Sequence, residues 1–570
     1  MQVFNGIPAA PGIAIGPGFH HKPARYAPAR GCITDAKTEI ERLDDAIERS
    51  AMELKEIYEE ARKTVGEETA QIFCAHMMML KDPDLLDGVK QKINTERVNA
   101  EAAFHDASES YADLLQNLSN EYLQARAVDV RDVSARVIQN LRNEAVDVSF
   151  LSVPSIVFAE DLSPSETVHF EREKLLGLCT VKGGTVSHTA ILSGALGIPA
   201  LVGVAGIRDF SFGGHTFILD GFNGCLIVDP DESTVSQYLK LQNIQRAKLV
   251  DERTAALGPA VTRDGKNVEV VANIGNLDDA KCALLNGAEG VGLLRTEFSY
   301  LERLSIPDED AMVDEYRAIF QTFGDLPVVV RTLDIGGDKE VPHLGLHGES
   351  NPFLGNRGIR LCLSRPDLFK PQLRAILRAG SHSKLYTMFP MIASIQEILE
   401  ARKILDECRK ELDGESAEFC QDLKIGIMIE VPSAALCADQ LAKVVDFFSI
   451  GTNDLIQYTF AADRTNAKVS HLLSAMQPAV LRLIKHIIDL GHSAGIWVGM
   501  CGEMAAEPMA IPILLGLGLD EFSMNPLSIP QAKVIIRKWD TRQAALLAKQ
   551  ALQCETPGEV QNLVAGWLPA

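Results

Sequence analysis

From residue 259 to residue 570, eight short apolar runs recur between helical stretches: Val268–Ala272, Gly290–Leu294, Pro327–Val330, Tyr386–Phe389, Ile425–Ile429, Val445–Ser449, Ile496–Gly499 and Leu519–Phe522. Such runs read as strands buried on both faces, and buried strands that alternate with helices are parallel βαβ units. Eight units in succession predict a (β/α)8 TIM barrel rather than an open sheet. The residues that follow the runs point the same way. Asn273, Arg295, Arg331 with Asp334, Met391, Glu430, Asn453 with Asp454, Cys501 and Asn525 stand at or just past the run ends. In a barrel these positions share the C-terminal mouth, where active sites lie.

Four arginines stand out there by context: Arg295, Arg331, Arg357 and Arg464. A lone arginine at a strand end is most simply an ion pair closing the barrel. Several on one rim repel unless they face a polyanion, and their planar, permanently charged forks suit phosphate and carboxylate. Glu430 and Asp454 balance them, either as salt-bridge partners or as ligands of Mg²⁺, which takes few protein carboxylates and completes its shell with water and substrate oxygens. The Asn453-Asp454 pair beside Gly451 favours the metal. Cys501 lies between Gly499 and Gly502, with room at the surface of a site, although a single Cys is usually a small buried hydrophobe.

The first half has a different texture. Residues 1–20 read as a strand with turns. From Asp35 to about Arg142 there is little Gly or Pro, and Ile40, Leu43, Ile47, Leu54 and Ile57 fall near helical spacing. Short β-rich runs return from Val146 to Val228, so the helical block reads as an insertion in one α/β domain. A charged helical segment, Ser233–Leu257, closes at Gly258-Pro259 as a linker. The expected division is 1–20 with 145–229, the helical insertion 21–144, the linker helix 230–258 and the barrel 259–570. Within residues 183–203, Gly183-Gly184 and Ser187 lead into a small-residue helix that stops at Gly197. His188 then sits on its first turn, where the helix dipole keeps the imidazole neutral and free N–H groups can hold an anion. That is the environment of a phosphoryl acceptor; the plainer reading is a histidine bonded to its own loop.

Composition closes other routes. Lys plus Arg number 55 and Asp plus Glu 77, a net charge of −22, which argues against a role coating nucleic acid. Eleven Cys contain no CxxC pair, so neither a zinc ribbon nor a disulfide framework is encoded, and the expected compartment is the reducing cytoplasm. No signal segment or long apolar span is present, so neither export nor a membrane-spanning form is expected.

Taken together, Pro11-Gly12-Ile13-Ala14, Asp161-Leu162-Ser163-Pro164-Ser165-Glu166-Thr167, the His188 segment, Leu294-Arg295-Thr296-Glu297-Phe298, Asp334-Ile335-Gly336-Gly337-Asp338-Lys339, Gly451-Thr452-Asn453-Asp454-Leu455 and Cys501-Gly502-Glu503 resemble enzyme I of the bacterial phosphotransferase system, the phosphoenolpyruvate–protein phosphotransferases. The likeness runs through essentially the whole chain, in the family's order. It implies a swivelling phosphohistidine domain, an inserted helical domain that docks a small histidine-containing phosphocarrier protein, and a dimeric phosphoenolpyruvate-binding barrel. By motif match, His188 would be the phosphorylated nucleophile, with Thr167 positioning it. Arg295, Arg331, Arg357, Asn453 and Arg464 would hold the substrate, Glu430 and Asp454 would bind Mg²⁺, Cys501 would protonate the enolate, and Lys339 would have a supporting place.

The chain departs from the family pattern at Thr185-Val186, where Arg-Thr is common, at Gly194, where an Arg is common, and at Asn356, where an aromatic is common. Two cations near the histidine are thereby missing, with Lys182 a candidate to compensate. A divergent paralogue serving a special phosphocarrier fits these changes. Two other readings compete: a barrel lyase in which His188 is structural, and a regulatory scaffold that binds phosphocarrier without turnover. Related enzymes with a nucleotide-binding domain are set aside, because the chain has neither the room nor a phosphate-binding loop for one.

Overall fold

A computed structural model describes the chain apart from residues 22–27, 66, 117–120, 144–150, 185–186, 208–209, 211–213, 302–304, 337–348, 350, 465, 467–468 and 568–570. It divides into two compact units, Met1–Ala247 and Lys248–Ala570.

The first unit opens with three strands, β1 (Gln2–Asn5), β2 (Ile7–Ala10) and β3 (Ile13–His20), where the sequence predicts one. Gly6 and Pro11-Gly12 break the run. Gly12 takes φ +140°, and a Cβ there would lie 2.6 Å from the Pro199 ring, so only glycine makes the turn. Five helices follow: α1 (Ala36–Val65), α2 (Glu67–Leu80), α3 (Pro83–Glu96), α4 (Ala100–Gln116) and α5 (Glu121–Arg142). Leu43, Ile47, Leu54 and Ile57 of α1 pack into one core with Phe73, Ile93, Phe104 and Val137, while Ile40 lies at its edge, the helical period expected of α1. The chain then returns to the sheet through β4 (Ser155–Ala159), α6 (Pro164–His169), β5 (Leu175–Thr180), α7 (His188–Leu196), β6 (Ala200–Val202), β7 (Thr216–Asp220) and β8 (Cys225–Val228). The sheet order is β1-β8-β7-β3-β4-β5-β6-β2. Its centre, β3 to β6, is parallel and the flanks are antiparallel. Helix α8 (Glu232–Ala256) carries the chain out of this unit.

The second unit begins with β9 (Ala260–Val261), antiparallel to β10 (Asn267–Ile274). Seven more strands follow: β11 (Val291–Arg295), β12 (Val328–Arg331), β13 (Leu385–Phe389), β14 (Lys424–Ile429), β15 (Phe447–Ile450), β16 (Trp497–Met500) and β17 (Glu521–Met524). From β10 to β17 every pairing is parallel, and β10 pairs with both β11 and β17, closing a barrel of eight. Each predicted run becomes a strand. The last is displaced by two residues, because Leu519 is buried before the strand begins and the Asp520 carboxylate accepts the Val498 N–H at 2.9 Å.

Strand pleating sorts side chains into two shells. Val328, Val330, Phe389, Ile427 and Ile429 face the surrounding helices. Leu293, Val329, Met388, Met428, Phe447 and Cys501 form a separate core inside the barrel. The inward face of β12 therefore carries Val329 and then Arg331, and that of β14 carries Met428 and then Glu430. The period that fills the barrel with apolar groups delivers charged ones at its mouth.

Candidate active site

Arg331 ends β12, opposite Arg295 at the end of β11. Its guanidinium is buried and ion-paired, Nη2 to Glu297 Oε1 at 2.5 Å and Nη1 to Asp334 Oδ2 at 3.1 Å. Asp334 also meets Arg357, at 3.3 Å from Nη2, and Arg357 in turn reaches Asp454, 3.1 Å from Nη1 to Oδ1. Arg357 Nη1 also donates to the Tyr458 hydroxyl oxygen at 3.3 Å. Arg464 completes the line, with Nη1 3.9 Å from Asp454 Oδ2 and its guanidinium 5.3 Å from the Phe353 ring centre. Gly358, φ +58°, makes the turn beyond Arg357, and a Cβ there would collide with Met391. The structure thus brings Arg331, Arg357, Arg464 and Asp454 into one chain of alternating charge, as buried ions require.

Glu430 lies at the end of β14, buried, with Oε1 accepting the backbone N–H of Met391 at 2.5 Å. Burial, then the charges of Asp454 and Asp334, push its carboxyl up to about 8, against the pull of Arg357 and Arg331. A divalent cation held by Glu430 and Asp454 would favour the ionised form of Glu430, and two carboxylates are a donor set that Mg²⁺ accepts. Among the described residues no cluster of three or more His, Cys, Asp or Glu offers a fuller cage. Among the described residues the Nε–H groups of Arg331 and Arg357 are buried and meet no hydrogen-bond acceptor.

Cys501 follows β16 with its side chain inside the barrel. Its N–H donates to the Ile450 carbonyl at 3.1 Å, and its carbonyl accepts from Asn273 Nδ2 at 3.0 Å. Burial pushes the thiol up to about 11, with Glu430 adding to the effect and Arg331 and Arg295 opposing it, so at neutral pH it is a proton donor rather than a thiolate. A Cβ on Gly502 would strike Thr452; this close approach lets Asn453 Nδ2 donate to Glu503 Oε1 at 3.0 Å.

His188 opens α7. Ser187 caps the helix, its side chain accepting from the Ala190 N–H, and Gly197 ends it in the left-handed region, so the first-turn placement holds. The Nδ1 of His188 lies 3.4 Å from Asp129 Oδ1 on α5, a residue the sequence reading missed. The same oxygen is 3.3 Å from Nε2 of His76 on α2. For His76 the available signal was a single polar residue inside an otherwise apolar run, Ile72 to Leu80; the segment around Asp129, Ala127 to Val133, also carries Arg131 and Asp132 and gives no such signal. The Thr167 hydroxyl donates to the Ser163 carbonyl at 2.9 Å. Lys182 is half-exposed and paired with Glu160 at 3.0 Å, so its charge is partly spent. Gly194 faces open space, and Asn356 is exposed, with Nδ2 donating to Ser364 Oγ at 3.4 Å. Thr185, Val186 and Lys339 lie outside the described residues.

Three family models match the chain: the PEP-utilising enzyme N-terminal model over residues 5–126, the mobile-domain model over 151–224 and the PEP-binding-domain model over 251–541. A phosphoenolpyruvate-protein phosphotransferase of Bacillus subtilis (strain 168) is 46% identical over 565 residues, 99% of either chain. The chain belongs to the phosphoenolpyruvate-protein phosphotransferase family. A second phosphotransferase, from Geobacillus stearothermophilus, is 45% identical over 570 residues, 99% of this chain and 98% of that one. The solution structure of an Enzyme I protein, 39% identical, covers 43% of this chain and 99% of its own, with a TM-score of 0.36. In this chain, His188 falls in the segment matched by the mobile-domain model and the arginine cluster in the segment matched by the PEP-binding-domain model.

Proposed function

We propose that the protein takes the phosphoryl group of phosphoenolpyruvate onto His188, releases pyruvate, and passes the group to a histidine of a small phosphocarrier protein. The observation that carries this reading is the arginine line at the barrel mouth. Phosphoenolpyruvate joins a phosphate and a carboxylate in one small polyanion, and the mouth sets Arg295, Arg331, Arg357 and Arg464, with Asn453, around one rim. Such forks fix both anionic ends and spread the charge of the transferring group. Glu430 and Asp454 would hold Mg²⁺, which when bound neutralises charge on the phosphate and the enolate.

The chain's own groups then divide the work. The lone pair of His188 Nε2 forms the N–P bond as the bond from phosphorus to the enol oxygen breaks, and the electron pair leaves on the enolate. The Cys501 thiol donates its proton to the enolate carbon, giving pyruvate, and regains one from solvent. Thr167 and Lys339 have supporting places. We assign residues 1–20 with 145–229 as the phosphohistidine domain, 21–144 as the carrier-docking insertion, 230–258 as the linker and 259–570 as the barrel and dimerisation domain. His188 and the mouth stand in different units, so the histidine must visit the barrel and the carrier in turn. No helix among the described residues is long and apolar enough to cross a membrane, in keeping with work in the cytoplasm.

Labelled phosphoenolpyruvate with Mg²⁺ tests the reading. Wild type is expected to take up acid-labile, base-stable label with release of pyruvate, and His188→Ala none. Equal labelling of the two would overturn the assignment.

A further inference from the structure

We infer that Asn273 is a positioning residue for Cys501, gripping the peptide that carries the thiol so that its proton reaches the enolate carbon from one face; the inference rests on the reading of Cys501 as the proton donor. Strand alternation brings the parts together. On β10, Val268, Val270, Ala272 and Ile274 pack among the surrounding helices, which places Asn273 on the inward face. On β17, Phe522 and Met524 face outward in the same way, which turns the fully buried Ser523 inward. Gly292 of β11 gives that side chain its room, since a Cβ there would lie 2.5 Å from Ser523 Oγ. Ser523 Oγ meets Asn273 Oδ1 at 2.6 Å, and Asn273 Nδ2 meets the Cys501 carbonyl oxygen at 3.0 Å.

The direction of each bond follows from the groups. A carbonyl oxygen only accepts, so the amide nitrogen of Asn273 must be the atom that faces Cys501, and the amide oxygen then takes the hydroxyl proton of Ser523. The buried serine fixes the amide, and the amide grips the peptide. The opposite edge of that peptide is held by β15: the Cys501 and Gly502 N–H groups both donate to the Ile450 carbonyl, at 3.1 and 3.3 Å, and Cys501 Sγ lies 3.8 Å from the same oxygen. The C=O and N–H of the 501–502 peptide are thus tied to different strands, β10 and β15, and a planar peptide held at both edges sets the direction of the Cys501 Cα–Cβ bond. The reaction asks for that aim. C3 of the planar enolate takes the thiol proton as the new C–H bond forms, the electron pair of the S–H bond stays on sulfur, and the thiolate regains a proton from water. A thiol held on one side delivers to one face of C3, whereas a thiol out of reach leaves the carbon to water, which reaches both faces.

Phosphoenolpyruvate deuterated at one C3 position, turned over once by the full chain with Mg²⁺ in tritiated water, yields a chiral methyl group whose configuration reports the face protonated. Wild type is expected to give one configuration in excess. Asn273→Leu keeps the size of the side chain and removes both polar atoms; it is expected to give a mixture close to equal and to slow pyruvate formation by about 10-fold, with label still reaching His188. Ser523→Ala leaves Asn273 in place and frees its amide to turn, so it tests the same grip if Asn273→Leu does not fold, and is expected to lower the excess. A loss of stability alone does not move the configuration. A folded variant with the wild-type excess and rate would overturn the proposal, and so would an equal mixture from wild type. A wild type that takes no phosphoryl group at all sinks the functional reading instead. Alkylation of Cys501 by iodoacetamide, followed on its own peptide, then decides: a several-fold faster reaction in Asn273→Leu supports the grip, and equal rates contradict it.

Discussion

At the scale of single residues, the mouth is held by charges that cannot be removed one at a time. Arg357 ties Asp334 to Asp454, both buried, so Arg357→Met takes one partner from each of two carboxylates. The expected cost is about 3–5 kcal/mol, read by denaturant unfolding, and Asp334→Asn in the same chain should recover part of it. Cys501 is a different case, since its thiol closes no ion pair. Cys501→Ala is expected to leave the unfolding midpoint almost unchanged while slowing pyruvate formation by about 10²- to 10⁴-fold, measured by quenched flow. The arginines were legible in the sequence because a guanidinium directly after an apolar strand has few places to go. Asp129 was not legible. Its importance comes from a contact with a residue 59 positions along the chain (188 − 129), and no local pattern encodes that approach.

At the scale of elements, the eight barrel strands were legible because each is buried on both faces and so is apolar along its length. The opening strands were not, because Gly6 and Gly12 redirect the chain by backbone conformation rather than by hydrophobic pattern. The closing strand β17 carries its own test. Glu521, at its start, is buried opposite Glu269 of β10. Burial, then the charges of Glu269 and Asp520, push its carboxyl up to about 8 from an ordinary 4.5. Between those values the folded protein binds more protons than the unfolded chain, so stability is lost as pH rises from about 4.5 to 8. Glu521→Gln should therefore gain stability relative to wild type as pH rises, by up to a few kcal/mol at pH 8, measured by urea unfolding across that range. The end of α8 is fixed more firmly. Lys533, fully buried, donates to the carbonyls of Ala256, Gly258 and Gly287 at 3.0, 3.0 and 2.7 Å and to Glu289 at 2.8 Å. Lys533→Met removes this buried donor, with Arg537 still donating to the Gly258 carbonyl and the Ala260 and Val270 N–H groups to Glu289, and should destabilise the second unit by about 3–5 kcal/mol, seen as a lowered thermal midpoint.

At the scale of the whole molecule, the proposed function divides two chemistries between the units: polyanion recognition in the barrel and nucleophilic attack by a histidine at the start of α7. The two-part organisation was legible from the change in texture near residue 230. The helical block's part in the histidine site was not, because helix packing brings His76 and Asp129 to α7 from far along the sequence. The central claim is that one histidine exchanges a phosphoryl group with two different partners. Discharge of isolated, labelled phosphoprotein tests it most directly. Added pyruvate with Mg²⁺ should return the label to phosphoenolpyruvate, and an added histidine-containing phosphocarrier protein should take it up in place of pyruvate. Label on His188 that neither pyruvate nor the carrier can remove would contradict the account.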